Sequence, residues 1–407
     1  MPPIRPLTAL LTSVLISSSA MATTDKVWIT LGNNAYSLLS EVHPQAKSMA
    51  KRHAITSDNE TVHVVKINTD VLMNLSKAIH RELRHCGGFI VHRSEQEARA
   101  SLSPPSPLPN ITVPNYEIKN DNEVQKLLPL LQASHIVTTI TDLSSFQNRF
   151  YTTTQGVDAA NWLAEKWQQL AGTQQDVAVE TFTHDKWPQR SVILTIKGQG
   201  QAANEIVVLG AHLDSISNGA RALDDSHAPG ADDNASGIAS LTEVIRVLLS
   251  NDHRPRRTLK FIAYAAEEVG LRGSGEIARH HYEQGANVVG VLQLDMTNYH
   301  KPSDDKIYLI TDYTNRKQNN FLTKLVKHYL PELQVSTSQC GYACSDHASW
   351  TRHGYAASFP FESAFKDSNP YIHTENDTLN HSDQEAKHAL KFAQLALAYT
   401  VELGKGE

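Results

Sequence analysis

Two carboxylates stand side by side in Gly230-Ala231-Asp232-Asp233-Asn234-Ala235-Ser236-Gly237, directly ahead of an apolar-periodic run of Ile238, Leu241, Ile245, Leu248 and Leu249. The spacing of that run predicts an amphipathic helix whose first turn begins near Ser236. Two like charges beside a core helix repel each other and lose solvation unless a cation neutralises them. Asp233 is therefore expected to bridge two zinc ions. The ordinary alternative is a helix N-cap, a role that Asp and Asn often fill. The pair alone does not separate these readings.

Three further segments do. Ile206-Val207-Val208-Leu209 runs into His212-Leu213-Asp214. Leu259-Lys260-Phe261-Ile262-Ala263-Tyr264 runs into Glu267-Glu268, and Val288-Val289-Gly290-Val291-Leu292 into Gln293-Leu294-Asp295. Nearly continuous apolar runs read as central strands covered on both faces. In open α/β sheets, sites form beyond the carboxyl ends of such strands. His373, in the polar segment His373-Thr374-Glu375-Asn376-Asp377-Thr378, completes the set.

Imidazole and carboxylate suit catalytic zinc and leave a position for water. Two ions about 3.5–4 Å apart lower the pKa of a bridging water and hold a carbonyl. One carboxylate of Glu267-Glu268 then ligates, and the other takes the proton as general base. Asp214, two residues from His212 on an extended segment, falls on the same face. It can accept the other ring N–H of His212 and fix its tautomer.

From about Tyr116 onward helices and strands alternate, which predicts an α/β domain: a mixed, mostly parallel central sheet with helices on both faces. A helix is expected over Asp158–Leu170, another through Phe321, Leu322, Leu325 and Val326, and a closing one from about Gln384 to Leu403. Val192, Leu194 and Ile196 alternate, as in a strand with one exposed face. Residues 25 to about 100 read as a smaller α/β unit. It has strands over Lys26–Leu31 and Val62–Ile67, a helix capped by Asp70 that ends at Cys86-Gly87-Gly88, and a short strand at Phe89–Val91. Cys86 reads as a buried small hydrophobe. Ser101 to Pro109 is a proline-rich linker.

Arg5, the apolar run Leu7–Ile16 and the small residues Ala20 and Ala22 make a secretory signal, cleaved after Ala22. The run is too short to span a bilayer, so no membrane anchor is expected. The division is a signal peptide over 1–22, a propeptide domain over 23–105 and a catalytic domain over 106–407. A propeptide would aid folding or mask the site; the alternative is a lasting accessory domain. The 407 residues carry a net charge of −6, which gives no polybasic footprint for nucleic acid. Three cysteines are too few for a disulfide-built scaffold, so an apolar core must hold the fold.

These segments resemble the secreted bacterial leucyl aminopeptidases with a co-catalytic dizinc centre. The resemblance runs from about Ile118 to Glu407. It rests on Asn148-Arg149-Phe150-Tyr151, Gly210 to Ser215, Ala228 to Gly237, Ala265 to Ser274, Leu294-Asp295-Met296, Cys340 to Trp350 and Phe359 to Thr374. It implies that one zinc takes His212 and Glu268, the other Asp295 and His373, with Asp233 bridging and Glu267 as general base. It also implies a cis peptide bond before the bridging aspartate, between Asp232 and Asp233. Tyr342, Phe361, Phe365 and Ile372 would line a hydrophobic pocket, and Cys340 and Cys344 would pair to fix the loop carrying Tyr342. Asn234 stands where the family also has an acid, and its amide can still cap the helix.

The implied activity is removal of N-terminal residues from peptides, with leucine and other large apolar side chains preferred. The implied protein is a secreted monomer whose own propeptide is inhibitor or folding aid. A carboxypeptidase or deacylase on the same scaffold is the nearest alternative, and a catalytically inactive binding ectodomain a more distant one. No inserted domain fits between Glu268, Asp295 and His373, and the complete ligand set argues against an inactive relative.

Overall fold

The computed structural model describes residues 26–53, 61–83, 88–103, 108, 111–217, 226–301 and 303–405. The expected signal peptide, Cys86 and most of the proline-rich linker lie outside the described residues. No helix among the described residues is long and apolar enough to cross a membrane.

The N-terminal unit comprises β1 (Lys26–Gly32), α1 (Asn33–Val42), β2 (Ser48–His53), β3 (Thr61–Asn68), α2 (Thr69–Leu83), β4 (Phe89–His92) and α3 (Glu95–Ala100). Its strands form an antiparallel sheet in the order β2-β3-β1-β4. Side chains alternate across the strands. Ile29, Leu31, Val65 and Ile67 therefore meet Leu39 of α1 and Leu72, Leu75 and Ile79 of α2 on one face. Trp28 and Val64 point to the other face, where Ala98 of α3 covers them.

The larger domain opens with α4 (Asp121–Leu127), α5 (Ala133–Ser144), α6 (Thr154–Ala171), β5 (Val177–Phe182), β6 (Ser191–Ile196) and β7 (Glu205–His212). It continues through α7 (Gly237–Ser250), β8 (Thr258–Tyr264), α8 (Arg272–Glu283), β9 (Asn287–Gln293), β10 (Lys306–Ile310) and α9 (Arg316–Tyr329). It closes with β11 (Gln334–Ser338), α10 (His347–Thr351), β12 (Ala357–Ser358), β13 (Pro360–Phe361) and α11 (Lys387–Gly404). The expected helices are all present, with ends within about a turn of their predicted positions.

The central sheet has the order β12-β9-β7-β8-β6-β5. The four strands β12, β9, β7 and β8 run parallel, while β6 and β5 are antiparallel additions. Val207 and Leu209 of β7 face a core built with α5, α7 and α11. Val208 faces the opposite side, where Ile277 and Ala278 of α8 and Trp350 of α10 cover it. The mixed α/β architecture expected from the sequence is the observed one.

Two local expectations need correction. β6 is buried on both faces, not one: Ile193 joins the core under α8, and only Thr195 is half-buried. Val192, Leu194 and Ile196 face the main core, and α8 covers the opposite face, where Ile193 packs with Ile277 and Ala278. Helix α7 is buried around nearly its whole circumference, with α5 and α11 packed on its outer side.

Chain order fixes where a site can form. After β7 the chain moves to β8 on one side and later to β9 on the other. The strand order reverses at β7, and the crevice beyond its carboxyl end is the place such sheets keep for ligands.

Candidate metal centre

His212 is the last residue of β7. Glu267 and Glu268 follow the end of β8, and Asp295 follows the end of β9. Asp233 reaches the same rim from the turn ahead of α7, and His373 from the loop ahead of α11. All six side chains are buried.

Asp233 sits between the two imidazoles. Its Oδ1 is 3.0 Å from His212 Nε2 and its Oδ2 is 2.7 Å from His373 Nε2. His212 Nε2 also lies 3.2 Å from Asp295 Oδ1, and His373 Nε2 lies 3.1 Å from Glu268 Oε2. These contacts set His212 against Asp295 and His373 against Glu268, while His212, Asp233 and Glu268, the set that the resemblance gives to one zinc with its bridge, also offer ligand atoms that all lie within 4.8 Å of one another. Strand register is the reason for the first contact. Gly210 of β7 is paired with Gln293 of β9, so His212 and Asp295 leave the sheet level with each other. On the other side His212 is paired with Tyr264 of β8, four residues short of Glu268.

The loop that delivers Asp233 is built by hydrogen bonds rather than by helix capping. Asp377 accepts the backbone N–H of Asp232 and of Asp233, both at 3.0 Å. The Asp232 carboxylate accepts from Asn298 N–H at 3.0 Å and from the Asn369 amide at 2.9 Å. The cap belongs to Asn234, whose Oδ1 accepts from Gly237 N–H at 2.9 Å. The same oxygen accepts from Met296 N–H at 3.2 Å, and the Asn234 amide donates to the Leu294 carbonyl at 3.0 Å. One side chain thus ties the Asp233 turn to the Asp295 turn. The cis peptide bond lies between Asp233 and Asn234, one bond later than expected.

Asp214 does two jobs. His212 Nδ1 is 3.1 Å from the Asp214 carbonyl and 3.5 Å from its carboxylate, which holds the ring with Nε2 toward the centre. The two carboxylate oxygens accept from the backbone N–H groups of Glu267 and Glu268, at 3.0 and 3.2 Å. The second role, which holds the glutamate loop, was not legible in the spacing. Ser345 likewise donates to Asp295 Oδ2 at 2.6 Å.

Arg149 is another residue whose role the sequence left unassigned. Its guanidinium is fully buried and donates only to main-chain carbonyls: Leu213 at 2.8 Å, Leu143 at 3.2 Å, Pro229 at 2.5 Å and Gly230 at 2.9 Å. It therefore joins the segment after His212 to the segment before Asp233. Burial pulls its pKa down to about 10, against the pull of Asp377, Asp214, Asp233 and Glu268.

Electrostatics show what charge the cage would receive. Burial pushes the Glu267 carboxyl well above its ordinary range; His212 opposes this, and Asp346, Glu268 and Asp295 add to it. Burial raises Glu268 to about 7, opposed by His373 and reinforced by Asp233. Burial opposes a charge on His373, but Glu268 and Asp233 outweigh it and lift the ring to about 10. Both Glu267 oxygens are buried and have no hydrogen-bond partner. Such carboxylates cost several kcal/mol each to keep charged in a protein interior without cations. Imidazole and carboxylate donors around that deficit fit zinc. Three residues adopt left-handed backbone at the rim itself: Ala266 before Glu267, Met296 after Asp295, and His373. Non-glycine residues tolerate that conformation at a cost and cluster at functional sites.

Beside the cage, Met296, Ile310, Phe359 and Phe361 form a small apolar cluster with Tyr342, Phe365 and Ile372 packed on it. Tyr342 and Phe361 each contact Phe365, at 6.0 and 5.5 Å between ring centres. The four residues expected to line a pocket are thus brought together. Cys340 and Cys344 form a disulfide with Cα atoms 6.2 Å apart, and Asp312 accepts from Cys340 N–H at 2.6 Å to hold the same loop.

The N-terminal unit grips this rim. Ser76 Oγ donates to the Glu268 carbonyl at 3.1 Å, and Val91 N–H to the Gly270 carbonyl at 3.2 Å. Met73 packs near Ile216, Ala266 and Val269, while Ile90 packs with Leu271, Ala343 and Tyr313. These contacts fall on the glutamate loop and on the disulfide loop, and Arg93 adds an ion pair to Glu276 of α8 at 2.9 Å.

Comparison with known proteins places the chain in a family. A model of peptidase family M28 matches residues 191–398. Leucine aminopeptidase 1 of Fusarium vanettenii is 37% identical over 72% of this chain and 76% of its own length. The crystal structure of the Legionella pneumophila LapA aminopeptidase superposes with a TM-score of 0.79 at 32% identity, covering 95% of this chain and all of that one. LapB from the same organism gives 0.77 at 30% identity, over 93% of this chain and all of that one.

Proposed function

The chain belongs to peptidase family M28 and is a zinc-dependent metallo-aminopeptidase, and on that basis we propose that it works with two zinc ions held by five side chains. His212 and Asp295 would hold one ion, His373 and Glu268 the other, and Asp233 would offer one carboxylate oxygen to each. The observation that carries this reading is the position of Asp233, within 3.0 Å of one imidazole and 2.7 Å of the other. Charge supports the count of two. Asp233, Glu267, Glu268 and Asp295 bring four negative charges when ionised, and two divalent cations balance them where one would leave a buried excess.

Bound zinc supplies Lewis acidity, lowering the pKa of a water and polarising the scissile carbonyl. The chain's own residues do the rest. Both Glu267 oxygens, like those of Glu268, are buried with no hydrogen-bond partner, but Glu268 lies 3.1 Å from His373 Nε2 and is left to the ligand role, while the raised pKa of Glu267 suits a group that takes a proton and gives it back. It accepts the proton of the attacking water and delivers it to the leaving amine nitrogen. Asp214 fixes Glu267 by accepting its backbone N–H. The cluster of Tyr342, Phe361, Phe365 and Ile372 receives the N-terminal side chain, which favours leucine and other large apolar residues.

Residues 1–22 would direct secretion, 23–105 would form a propeptide domain and 106–407 the monomeric catalytic domain, with no membrane anchor. The contacts of Ser76, Val91, Met73 and Ile90 on the glutamate and disulfide loops support a propeptide that holds the enzyme inactive until it is cut away.

Hydrolysis of leucine- and arginine-linked chromogenic amides, with and without a chelator, tests the reading for wild type and Glu267→Gln. The leucine amide should be the better substrate, and chelation or the substitution should abolish turnover. Activity that survives both would remove the mechanism. Proteolysis within the linker should raise activity, and an unchanged rate after complete cleavage would remove the inhibitory role.

A further inference from the structure

The geometry points to a second, mononuclear zinc site at His300, Asp305 and His388, separate from the catalytic cage. One ligand atom of each residue lies within 4.8 Å of the other two. The site joins the loop that leaves Asp295 toward β10 to the first turn of α11.

The case rests on where ring protons must be. His388 is the second residue of α11 and its ring is fully buried. Its Nε2 is 3.0 Å from the Glu362 carbonyl, which only accepts, so Nε2 carries the proton. The neutral ring then turns the lone pair of Nδ1 toward Asp305 Oδ1, 3.0 Å away. In the neutral ring two acceptors face each other, and a cation bound by both satisfies them. His300 repeats the pattern. Its Nδ1 is 3.1 Å from the Lys301 carbonyl, which leaves Nε2 with the lone pair. Its ring stacks on His388 with centres 4.6 Å apart. In both residues a carbonyl takes one ring N–H and frees the other nitrogen, the arrangement found behind zinc-ligating histidines. Two imidazoles and a carboxylate, with water in the fourth position, suit zinc.

Lys391 is the competitor. Its ammonium touches the same oxygen of Asp305, one turn along α11. It supplies the positive charge when no metal is bound, and zinc must displace it. Asp305 and His300 are partly exposed, so the site can be reached from solvent. Lys391 therefore sets the affinity of the site, and removing it should tighten binding.

The test uses the full-length protein, dialysed to equilibrium against buffers of fixed free zinc and then assayed for bound metal. At saturating free zinc, wild type should hold one equivalent more than His300→Ala, with equal leucine-amide hydrolysis by both. Lys391→Met should take up that equivalent at about tenfold lower free zinc. Excess zinc should raise the melting temperature of wild type and not of His300→Ala. Equal zinc content in wild type and His300→Ala, or an unshifted uptake curve for Lys391→Met, would overturn the site. Neither result depends on the assignment of the catalytic ligands, because the comparison is between variants with an intact cage.

Discussion

Among the described residues of the N-terminal unit the buried polar side chains are Thr30, His63, Ser76 and His92, and no carboxylate is among them. Each has a hydrogen-bond partner: Thr30 and His92 meet at 2.8 Å, His63 meets Asn33, and Ser76 donates to the Glu268 carbonyl. In the catalytic domain Asp214, Asp232, Asp233, Glu267, Glu268, Asp295, Asp346, Glu362 and Asp377 are all buried around one rim. Outside that rim the same domain follows the N-terminal rule. Glu243 is paired with Arg246 at 2.7 Å, and Glu402 accepts from the backbone of Lys119 and Asn120. Buried carboxylates are thus satisfied locally wherever the fold alone is at stake. Around the rim Asp214, Asp232 and Asp377 also accept backbone N–H groups, but so many carboxylates lie together that Glu267 and Glu268 are left with no hydrogen-bond partner on either oxygen. The excess is a cost to the empty protein and a driving force for metal binding.

The largest expected departure comes from Glu267→Gln. Loss of the general base should lower kcat by about 10²–10⁴. The chelated variant should melt no lower than chelated wild type, because a buried charge has been removed. A variant that lost activity through lost stability would contradict the contrast between the two kinds of carboxylate.

Arg149→Lys should act next most strongly. It keeps a charge but loses the planar fork that holds Leu213, Pro229 and Gly230 together. Zinc affinity, measured by chelator competition, should fall about 10–100-fold, as for other groups that orient ligands. Unchanged affinity with a lowered melting temperature would make Arg149 a packing residue only.

Phe361→Ala should sharpen the assignment of the apolar cluster. The preference for leucine over alanine amides should fall about tenfold, through KM more than kcat. An equal loss on both substrates would place the pocket elsewhere.

The smallest expected effect is a pH slope. Burial raises Glu268 and Asp346 to about 7 and Asp377 to about 8. Between pH 4 and 8 these groups therefore keep protons in the folded chelated protein that the unfolded chain has released, so their contribution to stability falls as pH rises. His373, raised to about 10, adds to the fall above pH 6.5. Asp233 is held low by His373 and His212 against burial, so its contribution is lost only below about pH 4. Below pH 6.5 His92, His281, His347, His353 and His388, held low by burial, add stability as pH rises, so the comparison is made above it: chelated protein should melt lower at pH 8 than at pH 6.5, and zinc should reduce that slope. A flat chelated profile would mean that the excess carboxylates are compensated in some other way.

The sequence carried the strands and the side chains that converge beyond their ends because both depend on local pattern. Val207 to Leu209 reads as a buried strand wherever it stands, and the ligands sit at strand ends. It did not carry partnership. Whether His212 meets Glu268 or Asp295 depends on the register of β7 against β8 and β9, which no single segment encodes. Arg149 and Asp377 were missed for the same reason. Both act on backbone atoms of segments distant in sequence, and each alone reads as an ordinary polar residue. The exposed face expected for β6 failed because burial of Ile193 is decided by α8, which follows it by about 80 residues.

The most direct test is the anomalous scattering of zinc in crystals of the loaded enzyme. Two peaks should flank Asp233, one against His212 and Asp295 and the other against His373 and Glu268. A single peak, or a peak shared by His212 and Glu268 away from Asp295, would contradict the arrangement described.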